Sequence, residues 1–243
     1  MDARVQKISR RSRWAGALLI LAGVQYVVLE YLTASAWHRP SYSYAVNFIS
    51  DLGNPVAGDV FAGRRIDSPL HLVMDAAFIT QGTLFITAAA LLLGTAAARR
   101  GRWLFGLAIA HGVGVILVGL FHESAAALHN GVIVGHSIGA AVTILAGNVI
   151  ALMAGADGPR VGAPRPLRRA ATALGILGLA AFALLQLDRP LYDTAGGVPE
   201  RIAVYTILAF EVLVGGWLLA RRPRPPLDPP VLGVFEERAS RTG

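Results

Sequence analysis

The chain has 243 residues, 54% of them hydrophobic and only 15% charged, against about 25% charged in an average soluble domain. It contains no cysteine, which excludes disulfides, thiolate nucleophiles and Cys-bearing metal sites. The net charge of +7 does not indicate a nucleic-acid partner: no nucleic-acid motif is present, and the basic residues flank apolar runs, as membrane orientation signals do.

In chain order, residues 1–14 form a basic N-terminus. The first apolar run, 15–32, is close to the roughly 20 residues that cross a bilayer core. Ala34-Ser35-Ala36 looks like a signal-peptide cleavage site, but the run exceeds the usual core of about 7–15 residues and carries Gln25 and Glu30, so it reads as a retained span. In the loop 33–67, Tyr42, Ala45, Val46, Ile49 and Leu52 recur at helical spacing ahead of the stop Gly53-Asn54-Pro55. This pattern predicts a short amphipathic helix lying at the membrane interface. Further spans are predicted at 69–97, 103–121, 131–154, 170–187 and 202–220. The tail 221–243 is rich in Pro and Arg and reads as disordered. The domain plan is therefore a basic N-terminus (1–14), a six-span membrane domain (15–220) and a cytoplasmic tail (221–243).

Of the 22 Lys and Arg residues, 17 fall in the N-terminus, the loops 98–102 and 155–169, and the tail. Only Arg39, Arg64, Arg65, Arg189 and Arg201 fall in the alternate segments. This alternation predicts an all-α polytopic bundle of six transmembrane helices with both termini cytoplasmic, in the cell membrane. Gly131, Gly135 and Gly139 repeat every four residues, a stripe that lets helix backbones approach closely, either within one bundle or between copies.

Ionisable groups inside a bilayer cost about 2.5–3.5 kcal/mol each on insertion scales, so each needs an account. Glu30, His111 and Glu211 fall within spans. Glu211 needs a partner, for which Gln25, His111 and Asn148 are candidates. All six His and most of the acids fall in outer loops, outer halves of spans or at mid-depth, which predicts a polar site open to the outer side. His71 and Asp75, four apart, share a helix face. His129 and His136, seven apart, share one if their helix starts early enough. His71, Asp75, His129 and His136 are thus a candidate ligand set for a divalent metal such as zinc, with Asp51 or Glu123 as a catalytic base. A hydrogen-bonded pair tying two helices together is the structural alternative. Ser50, Glu200 and Arg201 complete the polar residues assigned to the outer half. No nucleophile elbow and no phosphate-binding Gly-rich loop is present.

Asn47-Phe48-Ile49-Ser50-Asp51-Leu52-Gly53-Asn54 resembles the signature of the bacterial and archaeal membrane family catalogued as domain of unknown function 998. Ser68-Pro69, Gln81-Gly82, Gly119, His136, Gly139-Ala140, Gly147-Asn148 and Val198-Pro199-Glu200-Arg201 with Tyr205 are similar to further positions of that family. The resemblance spans about residues 15–220 and implies a six-span bundle without an assigned activity. Three functions remain open at this level: a lipid-modifying, metal-dependent enzyme; a transporter or binding subunit for a lipid or small molecule; and a structural component of a membrane complex.

Overall fold

A computed structural model describes residues 3–221. Among them, six helices are long and apolar enough to cross a membrane. These are α1 (Ala3–Ser35, apolar from Arg10), α2 (His71–Leu93), α3 (Arg99–Leu120), α5 (Ile133–Asp157), α6 (Arg165–Leu187) and α8 (Gly197–Ala220). Two short helices, α4 (Ala125–Asn130) and α7 (Arg189–Ala195), lie in the connections. The predicted tail, from residue 222 onward, lies outside the described residues.

The spans pack as a ring in the order α1, α2, α3, α5, α6, α8, which closes where α8 meets α1; α5 also touches α8 across the interior. An even number of alternating spans puts the two ends of the bundle in different company. The proximal end carries the ends of α1 and α8 nearest the termini. The distal end carries the segment 36–70, α4 and α7.

The outer surface is apolar: Leu21, Val24, Ile138, Leu145, Ile176, Leu177 and Leu213 are all exposed. The interior holds the polar residues instead, with Glu30, Gln81, Asn148 and Glu211 at 0–1% exposure. Such a distribution suits hydrocarbon outside and hydrogen-bonded partners inside.

Close approach of the helices depends on glycine at two crossings. Gly114 of α3 faces Gly139 of α5 so closely that a Cβ on either would lie within 2.8 Å of the other's carbonyl oxygen. Gly82 of α2 meets Gly112 of α3 in the same way. The predicted stripe is partly used here: Gly139 packs on α3, Gly135 packs on Phe121, and Gly131 takes the left-handed conformation (φ 79°) that ends α4.

The segment 36–70 departs from the predicted amphipathic helix. It contains turns, one 3-10 turn over Ser50–Gly53 and a hairpin of β1 (Val60–Phe61) and β2 (Arg64–Arg65). The apolar spacing over Tyr42–Leu52 is real, but the polar side chains between those residues claim the backbone. The Asn47 Oδ1 accepts from Ser43 N–H at 3.0 Å, and the Asp51 carboxylate accepts from Phe48 N–H at 2.9 Å. Ile49 N–H goes to Glu200 of α8. Local side-chain acceptors of this kind compete with a helical ladder, and here they hold the segment folded over the distal end.

Candidate functional site

The segment 47–54 is fastened at two points. Asp51 is fully buried, and Arg64 reaches back from the hairpin to bind it twice, Nε at 2.8 Å and Nη2 at 3.0 Å from its two carboxylate oxygens. The turn that aims Arg64 is tight, with positive φ at both Ala62 and Gly63, the geometry of a two-residue hairpin loop that follows strand twist. Its guanidinium also stacks on Phe48 at 4.2 Å and approaches Glu123 to 3.6 Å. The second fastening is Arg201 near the start of α8. It donates to the carbonyls of Tyr44 (2.9 Å), Asn47 (2.7 Å) and Gly197 (3.1 Å) and to the Tyr42 hydroxyl. Its Nε faces Glu30 of α1 at 3.3 Å, and Tyr205 donates to the other Glu30 oxygen at 2.8 Å.

Beneath this strap lies a cavity of about 330 Å³. Four polar groups line its distal end: Ser50 in the strap, Glu123 after α3, His136 of α5 and Glu200 of α8. The Ser50 hydroxyl donates to Glu123 Oε1 at 2.7 Å. His136 donates from Nδ1 to the Phe121 carbonyl at 2.6 Å, which leaves Nε2 facing Glu123 Oε2 at 3.8 Å. Burial holds the Glu123 carboxyl well above the ordinary carboxylate range; the Asp51 charge pushes the same way, and Arg64 only partly opposes it. The walls are apolar and include Tyr26, Phe78, Val118, Phe182, Leu185 and Leu208. Ser137 of α5 and Gln186 of α6 both line the cavity and are exposed. They mark a mouth between those two helices that faces sideways.

The floor of the cavity, at mid-depth, is a second polar layer. Gln81 Nε2 donates to Glu211 Oε1 at 2.7 Å and lies 3.3 Å from His111 Nε2. His111 Nδ1 is 2.9 Å from the Thr143 carbonyl, and Thr143 Oγ1 donates to the His111 carbonyl at 3.0 Å. A proton on Nδ1 satisfies all of these contacts. Asn148, a predicted partner of Glu211, is engaged elsewhere: it donates to the Ile144 and Ala203 carbonyls and accepts from Thr206. Gln25 donates to the Ala22 and Ala77 carbonyls.

The candidate residues therefore separate. Ser50, Glu123, His136, Glu200 and His111 line one cavity. Glu211 sits behind its floor, while Asp51, Glu30 and Arg201 build its frame. Asp51 does not line the cavity; with both oxygens held by Arg64, it orients the strap rather than facing a ligand. The four residues of the candidate metal set are not brought together. His129 is exposed on α4, and the Gly131 turn separates that helix from α5, so His129 and His136 do not share a helix face. His71, half-buried, turns its Nδ1 toward the Ser68 carbonyl at 3.3 Å. Asp75 points at Gly53, and its Oδ1 is buried without a hydrogen-bond partner. Among the described residues no three His, Asp or Glu side chains form a group able to hold a metal ion.

Sequence reasoning missed Gln81, Thr143 and Arg64 as site residues. Gln81 carried a signal, a lone amide in the middle of an apolar span. Arg64 carried a weaker one, since a buried acid at Asp51 requires a cation.

The family described as "Protein of unknown function (DUF998)" matches residues 20–217. Neither the comparison with curated proteins nor that with solved structures yields a match.

Proposed function

The chain belongs to the DUF998 family, a membership that assigns no activity, and we propose from the geometry of this multi-pass membrane protein that it binds a membrane amphiphile in its distal cavity. One observation carries the reading. The cavity of about 330 Å³ falls within the range of ligand pockets, roughly 300–1,000 Å³. It is polar at one end, apolar along its walls, and open between α5 and α6 toward the position lipid would occupy. Acceptors dominate its polar end, and among the described residues no Lys or Arg lines it. This favours a head group that donates hydrogen bonds, a hydroxyl or an amine, over an anionic one. The charge asymmetry of the sequence supports placing the distal end on the outer side of the cell membrane and the termini in the cytoplasm.

Native mass spectrometry of the protein released from its own membranes tests the reading. Wild type should retain a lipid that an Ala141→Trp variant, filled at the cavity wall, does not. Equal lipid content in a folded variant would overturn it.

A second reading has its own support in the Ser50–Glu123 hydrogen bond with His136 beside it, an arrangement in which a carboxylate or imidazole base activates a hydroxyl nucleophile. On that reading Ser50→Ala keeps the bound lipid but abolishes its turnover by the purified protein. Under pure binding the bound species is unchanged.

A further inference from the structure

The proximal half of the bundle is also hollow. A cavity of about 280 Å³ lies inside the helix ring on the far side of the Gln81–His111–Glu211 layer. Its walls come from Leu19 of α1, Phe85 and Ala89 of α2, Ala108 of α3, Ile150 of α5 and Phe210 of α8. Phe85 stacks edge-on against His111 with ring centroids 4.5 Å apart, so a single layer divides this cavity from the distal one. Phe210 and Arg221 both line it; 11 residues of helix rise between them make it about 16 Å deep.

The mouth of this cavity is cationic. Arg168 of α6 and Arg221 at the end of α8 both line it. Arg168 gives its Nε to the Gly155 carbonyl at 3.3 Å, and Arg221 gives one Nη to the Val161 carbonyl at 2.8 Å while lying 4.4 Å over Trp217. Among the described residues neither guanidinium has a carboxylate within ion-pair distance. The acid that lines the cavity, Asp157, is bound by Arg100 at 2.5 Å.

A void with so apolar a lining forgoes dispersion contacts over its walls and offers water few partners. Guanidinium groups with unused donors favour carboxylate or phosphate oxygens. We propose that the proximal cavity takes the chain of a single-chain amphiphile whose anionic head, a carboxylate or a phosphate, is met by Arg168 and Arg221. Its volume, below that of most ligand pockets, admits one chain rather than two. Among the described residues no Lys or Arg lines the distal cavity, whereas two line this one, which gives the two cavities opposite head-group preferences. This site stands apart from the distal one and does not depend on the function proposed for it.

Trp217 lines the cavity and reports its occupancy. The test uses the full chain in nanodiscs of neutral phosphatidylcholine, with the exposed Trp14 and Trp103 replaced by Phe and a Trp217→Phe protein as the blank. Brominated fatty acid should quench Trp217 saturably, and a brominated alkyl phosphate should do the same; the ratio of their half-saturating concentrations tells carboxylate from phosphate preference. Arg168→Gln with Arg221→Gln should raise both concentrations at least tenfold. Ala154→Phe should abolish saturation, and the charge variants carry the test if that protein does not fold. A brominated alkyl trimethylammonium should give only the linear quenching of probe dissolved in the bilayer. The proposal is overturned if quenching by the anionic probes is linear, if it is indifferent to the two Arg substitutions, or if the cationic probe saturates equally well.

Discussion

Removing Arg64 should be among the most damaging single changes outside the helix crossings. Arg64→Met keeps the aliphatic stem but deletes the guanidinium that binds Asp51 at 2.8 and 3.0 Å and faces Glu123 at 3.6 Å. Asp51 is 0% exposed and Arg64 5%, so the pair is desolvated, and breaking such a pair from one side costs about 3–5 kcal/mol. Asp51 would keep two donors, Phe48 N–H at 2.9 Å and Asn47 Nδ2 at 3.3 Å. That residual support puts the expected loss at the low end, about 3 kcal/mol, which for a chain of this size corresponds to a fall of roughly 6–12 °C in Tm. Thermal unfolding in a mild detergent, followed by tryptophan emission, measures it. The double variant Asp51→Asn with Arg64→Met leaves no charge stranded at that position and should recover at least half of the loss. The reasoning fails if Arg64→Met moves the midpoint by less than about 2 °C, or if the double variant is no more stable than the single one.

Four further outcomes are expected. Glu123, held high by burial and by Asp51, binds its proton more tightly in the folded state than at the ordinary Glu value of about 4.3. Its stabilising share is therefore full below that pH and is lost as pH rises through the raised value; melting curves of Glu123→Gln should lose that part of the alkaline decline, and an unchanged slope would contradict the assignment. His122 behaves oppositely: burial, then His71, lowers it, so its share is present above about pH 6.5 and lost on acidification, and His122→Asn should flatten the acid side of the same curves. At mid-depth, Glu211→Gln preserves an acceptor for Gln81 Nε2 and should cost under about 1 kcal/mol, whereas Glu211→Leu strands that buried donor and should cost about 1–3 kcal/mol; equal melting temperatures for the two variants would refute the role given to Gln81. Finally, Gly114→Leu pushes a side chain into the Gly139 carbonyl, 2.8 Å from the new Cβ, and should cost at least about 1–3 kcal/mol, read as lost monodisperse protein on size exclusion.

The six-span bundle was legible without coordinates, because the cost of exposing a polar backbone to hydrocarbon imposes long apolar helices that composition alone reveals. The cavity lined by Ser50, Glu123, His136 and Glu200 lies at the distal end, under the segment 36–70. The contacts within that half were not legible. Tyr42–Leu52 has helical spacing, yet it becomes a strap because Asn47 and Asp51 satisfy backbone N–H groups that a helix would need, and because Glu200, some 150 positions away, takes the Ile49 N–H. That Glu211 meets Gln81, and of its three predicted partners only His111, at 3.8 Å, rather than Gln25 or Asn148, and the dispersal of His71, Asp75, His129 and His136, depend on helix rotation and neighbour order. Those are decided by where glycines let α2, α3 and α5 touch, a property of three helices together that no one of them carries in its own spacing. Sequence alone therefore determined that this is a six-span membrane bundle; tertiary packing decided which polar groups meet, and that the bundle is hollow at both ends.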